Sequence, residues 1–389
     1  MSSSEPSLLI LGASTRAAAW SALRAGFQPI CSDLFLDTDL QAVARVLPVA
    51  TYPAGFEESV RSLPPTPWIY TGGLENHPRV IAAISAQHPL LGISSRQVQA
   101  VRDPWLLREA MASGAMASGI VEIPKLRASE DPPQEGNWLV KPWASSGGRG
   151  ISVWNRSAAL PEEPHYFQEF VPGRSVSALY LGTEQGTLLL GTAEQLGPQE
   201  NISPFAYCGS AVPATIPDEI LPAMKQVGEK MTTTFSLRGL FGCDFILAAN
   251  HSLYLLEVNP RYTASVELHE HALCIPLLKW HVEGTAGSVS TRTWEALQSQ
   301  VQDRPPSGTR WGKRILYATQ DFTFPGLPDG FDPVPVGVWD LPRMADIPAP
   351  GARIRSGEPI CSVFACGETE EELAGNLQAA ERAVGLRKL

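Results

Sequence analysis

The segment GLFGCDFILAANHSLYLLEVNPR, residues 239–261, contains two apolar runs separated by the turn-forming letters AANHS. This pattern predicts a β-hairpin. We place Ala248 opposite Leu253 across the turn. In that register Asp244 lies opposite Glu257. Side chains alternate between the two faces of a strand, and residues that are paired across a hairpin point to the same face. The hairpin is therefore expected to carry two carboxylates on one face.

Two like charges that face each other across a hairpin destabilise it, and apolar neighbours increase the cost by removing water. A divalent cation between the carboxylates offsets this cost, and Mg²⁺ prefers oxygen ligands of this kind together with substrate phosphates. Asn259 falls on the same face and adds an amide oxygen. The alternatives are an exposed face with solvated charges, or another register. The opposite face is expected to be apolar and to consist of Phe245, Leu247, Leu256 and Val258.

A glycine loop interrupts another pair of predicted strands, in LVKPWASSGGRGI, residues 139–151. Glycines allow backbone N–H groups to converge on an anion, and Lys141 at the end of the first strand supplies a charge for a phosphate. The order of residues is not that of a P-loop. A flexible hairpin loop without a ligand is the alternative interpretation.

Composition narrows the functional classes. A length of 389 residues suggests two or three domains, and a net charge of −10 argues against a broad nucleic-acid-binding surface. We find no signal peptide at the start and no apolar run long enough to cross a bilayer. The six cysteines have neither CxxC nor zinc-ligand spacing, which indicates a reducing compartment. We therefore expect a cytoplasmic protein with no membrane partner.

The first hundred residues read as a parallel α/β unit of strands and helices. Two of its loops are candidate substrate contacts. The loop GASTR, residues 12–16, precedes a helix and includes Ser14, but a purely structural turn explains it equally well. The loop TGGLEN, residues 71–76, follows a buried strand, and Glu75 and Asn76 are our candidates for contacting an acceptor substrate. A dinucleotide fingerprint is absent from the sequence, which disfavours a nicotinamide site.

The segment HYFQEFVPGRSVS, residues 165–177, follows the glycine loop and has a strand, an acidic residue and a turn. The chain thus contains, in order, a lysine with a glycine loop, a Glu-Phe-Val hinge, Asp244, and the motif EVNPR at 257–261. That order resembles the ATP-grasp superfamily of carboxylate ligases over about residues 1–290. Within it, the chain looks most like predicted carboligases related to biotin carboxylase, and the tail segments RILYATQD and ADIPAPGARIRSGEPICSVFA resemble the C-terminal extension of that group.

The resemblance implies a mixed α/β and α+β fold in three parts. A parallel pre-ATP-grasp α/β domain is expected at 1–100, and an ATP-grasp domain with antiparallel sheets at 101–290. The small lobe of the ATP-grasp domain is expected at about 101–170 and the large lobe at about 171–290. A small C-terminal α+β extension is expected at 291–389. The polar stretch 284–310, with its two adjacent prolines at 305 and 306, predicts a linker or a domain edge before that extension.

The resemblance also implies roles for residues, with ATP and one or two Mg²⁺ ions as cofactors and Mn²⁺ as a substitute. The implied ATP contacts are Lys141 for the α-phosphate or adenine, Ser145, Ser146, Gly147, Gly148 and Gly150 over the β- and γ-phosphates, and Gln168, Glu169, Phe170 and Val171 along the adenine edge. The implied metal ligands are Asp244, Glu257 and Asn259. Arg261 and Arg238 are expected to face the γ-phosphate and the acyl-phosphate that forms.

The activity implied is the joining of a small-molecule carboxylate to an amine through an acyl-phosphate, as in the synthesis of a one-carbon cofactor of pterin or furan type. Homodimer formation is left open. Two positions depart from the family pattern. The stretch VRDPW, residues 101–105, lacks the usual second lysine and offers Arg102 instead, and Ser175 stands where an acidic ribose ligand is common. A nucleotide-binding protein without ligase activity is therefore the alternative.

Overall fold

The computed structural model describes residues 5–112, 120–199, 202–302, 308–327 and 334–385. Its first part alternates strands and helices: β1 Ser7–Gly12, α1 Arg16–Arg24, β2 Gln28–Asp33, α2 Thr38–Gln41, β3 Arg45–Pro48, α3 Gly55–Val60, β4 Trp68–Tyr70, α4 Pro78–Ser85, α5 Ser95–Val101 and α6 Pro104–Ala112. The strands form a parallel sheet in the order β3-β2-β1-β4. Loops that follow parallel strands meet at one edge of a sheet, so the loops at 12–15 and 71–76 lie side by side.

A second, antiparallel sheet follows in the chain. The elements here are β5 Val121–Glu122, β6 Leu126–Ala128, β7 Trp138–Pro142, β8 Ser152–Val153 and β9 His165–Glu169. Four of them pair in the order β6-β9-β7-β8. The glycine loop, residues 145–150, connects β7 to β8, as the sequence predicts.

The third part is built on a large sheet. Its elements are β10 Arg174–Thr183, β11 Gly186–Gln195, β12 Gly209–Val212, α7 Leu221–Phe235, β13 Gly239–Leu247, β14 Leu253–Asn259, α8 Val266–Leu273, α9 Leu277–Thr285, α10 Thr291–Gln302, β15 Arg310–Tyr317, β16 Phe322–Thr323, β17 Met344–Ala345, β18 Arg353–Ile354, β19 Pro359–Gly367 and α11 Glu370–Val384. The strand order is β17-β19-β15-β12-β11-β10-β13-β14-β5. The C-terminal strands thus extend the sheet that carries the hairpin.

The predicted fold class is confirmed, since a parallel N-terminal sheet is followed by antiparallel sheets. Within the stretch 284–310, predicted as a linker or a domain edge, residues 291–302 form α10. Trp294 and Leu297 lie three residues apart on that helix and are buried, so their packing outweighs the polar composition around them. The two prolines at 305 and 306 lie outside the described residues. Within the described ranges, no helix combines the length and apolar character needed to cross a membrane.

The hairpin is confirmed, but its turn is longer than the predicted register requires. Leu247 pairs with Leu253, so the turn contains one residue more than the pairing of Ala248 with Leu253 would leave. A bulge between Asp244 and Phe245 shifts the register back, and Asp244 does face Glu257. The bulge also changes the apolar face: Leu255, rather than the predicted Leu256, is fully buried opposite Phe245.

A buried ionic cluster ties α1 to α8 and to the C-terminal strands. The Arg16 guanidinium makes two hydrogen bonds with Glu267 and lies 2.9 Å from Asp346 Oδ1. Lys313 Nζ lies 3.5 Å from Glu267 Oε2 and 3.3 Å from Asp346 Oδ2. The Arg16 and Glu267 side chains are only 1% and 2% exposed. Such buried charges persist only when each has its partners.

An acid titration tests this cluster. Burial by itself raises the pKa of Glu267, but Arg16 and Lys313 lower it from 4.5 to about 2. A lowered folded-state pKa stabilises the fold above the unfolded-state value, and that stabilisation is lost as the pH falls toward 2. We expect the difference in unfolding free energy between the protein and its Glu267→Gln variant to shrink by about 2 kcal/mol between pH 6 and pH 3, measured by urea denaturation.

Two neighbouring carboxyls have the opposite effect on how stability changes with pH. Burial raises the pKa values of Asp37 and Asp39, so these groups favour the folded state as the pH falls. Both are present in the protein and in the Glu267→Gln variant, and the difference between the two therefore reports on Glu267. A difference that stays constant across this pH range would contradict the pairing.

Candidate active site between two sheets

The two hairpin carboxylates lie on one face of the large sheet, together with an amide. Asp244 on β13 is paired with Glu257 on β14, and Gly242 is paired with Asn259. Asn259 Nδ2 donates a hydrogen bond to Asp244 Oδ2 at 2.9 Å. These three residues, predicted as metal ligands, are therefore brought together by the hairpin itself.

The two hairpin carboxylates have pKa values that are shifted in opposite directions. Burial, and then the charge of Glu257, raise the pKa of Asp244 to about 7. Burial also raises the pKa of Glu257, but Lys141 and Arg102 outweigh that effect and lower it. The Glu257 side chain remains 48% exposed. The hairpin therefore holds one carboxylate that is ionised and a second that ionises near neutrality, which is the situation that a bound cation relieves.

The small antiparallel sheet contributes a cation to the same place. Lys141 on β7 is buried, and its Nζ lies 3.4 Å from Glu257 Oε2 and 3.2 Å from Gln168 Oε1. Lys141 and Tyr166 are register partners, and Lys141 Nζ lies 6.0 Å from the centre of the Tyr166 ring. The site thus lies where the small sheet faces the large sheet.

The loop at 71–76 reaches the site from the N-terminal sheet. Arg261, which follows β14, donates from Nε to Glu75 Oε1 at 2.7 Å and from Nη2 to Asn259 Oδ1 at 3.3 Å. Glu75 is buried, and its pKa is lowered because Arg261 and Arg102 outweigh the effect of burial. Glu75 is therefore an ionised partner of Arg261.

The glycine loop is held against this N-terminal loop. Ser146 Oγ donates to Glu75 Oε1 at 3.0 Å, and Asn76 Nδ2 donates to Ser146 Oγ at 3.2 Å. Arg102 donates from Nη1 to Asn76 Oδ1 at 2.6 Å and from Nη2 to the carbonyl oxygen of Ser145 at 3.1 Å. The glycine loop is therefore linked to the N-terminal part through side chains.

The glycines of this loop are required by its conformation. Gly147, Gly148 and Gly150 have φ values of 61°, 76° and 76°, in the left-handed region. A Cβ atom at Gly148 would lie 1.7 Å from the carbonyl oxygen of Phe205. Tyr207 N also donates to the carbonyl oxygen of Gly147 at 3.0 Å. The loop thus closes against the segment before β12.

The predicted adenine segment, residues 168–171, is placed beside the site, but part of its backbone is already used. The N–H of Glu169 donates to the carbonyl of Lys125, and the N–H of Phe170 donates to the carbonyl of Asn137, each at 2.9 Å. Glu169 Oε1 also lies 3.1 Å from Lys125 Nζ. Hydrogen bonds to an adenine edge must therefore come from other groups of the segment, including the half-buried Val171.

Two further predicted residues, Arg238 and Ser14, have hydrogen-bond partners outside the hairpin. Arg238 precedes β13 by one residue, donates to the carbonyl of Leu237 at 2.9 Å, and is six positions from Asp244, or roughly 20 Å along a strand. Ser14 is exposed on the loop after β1, and its carbonyl accepts from Thr71 Oγ1 at 2.9 Å.

The predicted anion site at the start of α1 is filled by the chain itself. Asp33 Oδ2 accepts hydrogen bonds from Thr15 N at 2.7 Å and from Thr15 Oγ1 at 2.8 Å. Asp33, which follows the second strand, therefore serves as an internal anion for the loop that contains Ser14. This contact favours the structural interpretation of that loop.

The sequence analysis did not predict the aromatic cluster that lies beside Lys141. The rings of Trp105 and Trp143 stack with centroids 5.4 Å apart, and both lie within 5.7 Å of the Tyr166 ring. The alternation of side chains along a strand could have revealed the cluster, because Trp143 is two residues after Lys141 and falls on the same face. The cluster packs the start of the glycine loop against the N-terminus of α6.

The donor set fits Mg²⁺ with further ligands from a substrate. In the described part of the chain, no group of three or more His, Cys, Asp or Glu side chains is arranged to hold a metal. Asp244 and Glu257 would provide two carboxylates, and Asn259 would provide its amide oxygen, which in this structure accepts from Arg261 Nη2 at 3.3 Å. Mg²⁺ is commonly bound by one or two carboxylates together with water and phosphate oxygens, which matches this set.

Comparisons with known proteins agree with this geometry. A protein-family model described as "ATP-grasp domain" matches residues 112–265. The carbamoyl phosphate synthase large chain of Helicobacter pylori is 38% identical over 68 residues. That match covers 18% of this chain and only 6% of the synthase.

Two solved structures illustrate the similarity in fold. The biotin carboxylase domain of the 2-oxoglutarate carboxylase of Hydrogenobacter thermophilus superposes with a TM-score of 0.70 at 12% identity, over 97% of this chain and 90% of that one. The L-amino acid ligase of Bacillus licheniformis also has a TM-score of 0.70, at 14% identity and 98% coverage of both chains. Residues 112–265 therefore match an ATP-grasp domain, and the fold of the chain is shared with this biotin carboxylase domain and this L-amino acid ligase.

Proposed function

We propose that this protein is an ATP- and Mg²⁺-dependent ligase, which activates a carboxylate as an acyl-phosphate and joins it to an amine. One observation carries the proposal: Asp244, Glu257 and Asn259 on the hairpin converge with Lys141 from the small sheet and Arg261 beside the N-terminal loop. A structural hairpin has no need for this arrangement of charges from three parts of the chain.

The roles proposed for the residues follow from their charges. Asp244, Glu257 and Asn259 would hold Mg²⁺, with Mn²⁺ as a substitute, and the cation would neutralise the phosphate charge that repels an attacking carboxylate. Lys141 supplies a buried positive charge for the α-phosphate or adenine. The proposed triphosphate cover is the glycine loop, with residues Ser145, Ser146, Gly147, Gly148 and Gly150. The adenine edge is assigned to the segment 168–171.

Arg261 is placed to bind the anion that forms during the reaction. Its guanidinium adjoins Asn259 and therefore the proposed phosphate end of the site. An acyl-phosphate reacts with water, so the glycine loop has the further task of excluding water until the amine attacks. The amine then displaces phosphate and an amide is formed. We assign no role to Arg238 here, since it is six positions before Asp244 along the chain, or roughly 20 Å on an extended strand.

The substrates are proposed only by class. We propose a small-molecule acid and a small-molecule amine, in the synthesis of a one-carbon cofactor of pterin or furan type. A homodimer is compatible with this proposal. A cytoplasmic location is proposed because the described cysteines form no disulfide.

The activity can be tested by measuring ADP release from ATP and Mg²⁺ in the presence of candidate acids, with and without amines. A ligase should release ADP only when an acid is present, and addition of hydroxylamine should trap the acyl-phosphate as a hydroxamate. Nucleotide binding without any acid-dependent ADP would favour the alternative, a nucleotide-binding protein of this fold that has no ligase activity.

The Lys141→Ala variant is expected to bind ATP about tenfold to a hundredfold more weakly, because it loses a charge-assisted contact worth about 1.5–3 kcal/mol. Isothermal titration calorimetry with a non-hydrolysable ATP analogue and Mg²⁺ measures this change. Lys279→Ala is the matched control, since Lys279 is 51% exposed and pairs with Glu283 on the surface of α9. Equal affinity in the Lys141→Ala variant and the parent would refute the assignment.

A further inference from the structure

One carboxylate oxygen connects two of the proposed functional elements. Glu75 Oε1 accepts from Arg261 Nε at 2.7 Å and from Ser146 Oγ on the glycine loop at 3.0 Å. Asn76 reinforces the second contact, since its Nδ2 donates to the same Ser146 Oγ. The loop at 71–76 therefore contacts the glycine loop and Arg261 at the same time.

The contact with Glu75 uses Nε of Arg261 and leaves its two terminal nitrogens for another anion. Among the described residues, its Nη1 and Nη2 atoms contact the carbonyl of Tyr262 and Asn259 Oδ1, each at 3.3 Å. Hydrogen bonds of that length are at the weak end of the range. A guanidinium held through Nε can still offer its two terminal nitrogens to a phosphate or carboxylate.

Glu75 is poorly placed to bind a substrate directly. Its side chain is 2% exposed, and its Oε1 is already shared between Arg261 and Ser146. This burial argues against the direct acceptor contact expected from the sequence. It favours a residue that acts through its neighbours.

We propose that Glu75 is a positioning residue, which orients Arg261 for the reaction when the glycine loop is closed and so couples loop closure to chemistry. The inference rests on the proposed ligase function and extends it. When the loop is open, Glu75 Oε1 loses the Ser146 donor, and Arg261 is held by a less ordered carboxylate. A misplacement of about 1 Å in a group that positions the reaction lowers the rate by about 10²-fold.

A double-mutant cycle in the full-length protein tests the coupling. We expect Glu75→Gln to lower kcat for ADP formation by about 10²-fold with KM for ATP changed less than about threefold, and Ser146→Ala to lower kcat by about tenfold. The double variant should be no slower than Glu75→Gln alone, because both substitutions interrupt the same connection. Effects that multiply to about 10³-fold would overturn the proposal.

Loop closure is measured separately by trypsin cleavage after Arg149, which is exposed in the glycine loop. A Mg²⁺ complex of a non-hydrolysable ATP analogue should protect Arg149 in the parent protein, and the protection should fall at least about fivefold in both single variants. A purely structural role for Glu75 would lower thermal stability and leave the protection ratio unchanged. Unchanged protection in a folded variant would overturn the coupling.

The two proposals fail in different ways. If the parent protein releases no ADP with any acid, the ligase function fails, whereas Arg149 protection still decides whether Glu75 controls the loop. If Glu75→Gln does not fold, Ser146→Ala decides by itself, because it removes the loop contact and leaves the ion pair between Glu75 and Arg261. A Ser146→Ala variant with the kcat and protection of the parent would then contradict the proposal.

Discussion

Replacement of Glu257 by glutamine is expected to lower kcat for ATP-dependent ADP formation by about 10³-fold, while the protein stays folded. The physical reason is the loss of one of two carboxylates that we propose to hold the cation, whose stabilisation of phosphate charge in the transition state amounts to several kcal/mol. The fold should tolerate the change, because the Glu257 side chain is 48% exposed and faces Asp244 across the hairpin. Removal of this negative charge also relieves repulsion within the pair.

Steady-state ADP release, with circular dichroism and thermal unfolding as checks of folding, measures this effect. Glu122→Gln is the matched control, since Glu122 is an exposed carboxylate on β5, the neighbour of β14 in the same sheet. We expect that variant to keep the activity of the parent. If Glu257→Gln retains near-normal ADP production, the hairpin carboxylates do not hold an essential metal.

The second large effect concerns stability. The Arg16→Met variant is expected to unfold with a free energy about 3–5 kcal/mol lower than that of the parent, because it leaves Glu267, Asp346 and Asp39 near one another without their main cation. Lys313 remains, but its ammonium lies 3.3 Å or more from its two partners and cannot reproduce the paired hydrogen bonds of the guanidinium with Glu267.

Urea denaturation at neutral pH measures the change, followed by both fluorescence and far-ultraviolet circular dichroism. Arg61→Met is the control, because Arg61 is 65% exposed and its ion pair with Glu57 lies on a helix surface. Surface pairs contribute at most about 1 kcal/mol. A loss of about that size in Arg16→Met would show that the buried cluster is not required for the fold.

The opposition of Asp244 and Glu257 could be predicted because strand periodicity is a local property. The prediction succeeded although the turn is one residue longer than expected. The bulge between Asp244 and Phe245 compensates for that difference, so the pair of carboxylates was correct and the apolar partner Leu256 was not. A bulge depends on how the strand fits the rest of the sheet, and this fit is not encoded in the two runs of the hairpin.

For the candidate residues outside the hairpin, the sequence predicted some positions well and others poorly. Lys141 and the glycine loop could be found because a strand that ends in a lysine and glycines is a local pattern. The separation of Arg238 from Asp244 follows from strand rise alone, roughly 20 Å over six positions, whereas the contact of Ser14 with Thr71 depends on packing. The capping of the first loop by Asp33 also needed the neighbouring strand in place.

The order of the chemically important residues, the hairpin and the glycine loop were determined by the sequence alone, because each depends on neighbours within about twenty positions. The tertiary structure decided which distant groups meet: Glu75 contacts Ser146 and Arg261, which are 71 and 186 positions away. The physical reason is that hydrogen bonds and charge pairs act over a few ångströms, whereas separation along the chain does not specify distance in space until three sheets pack together.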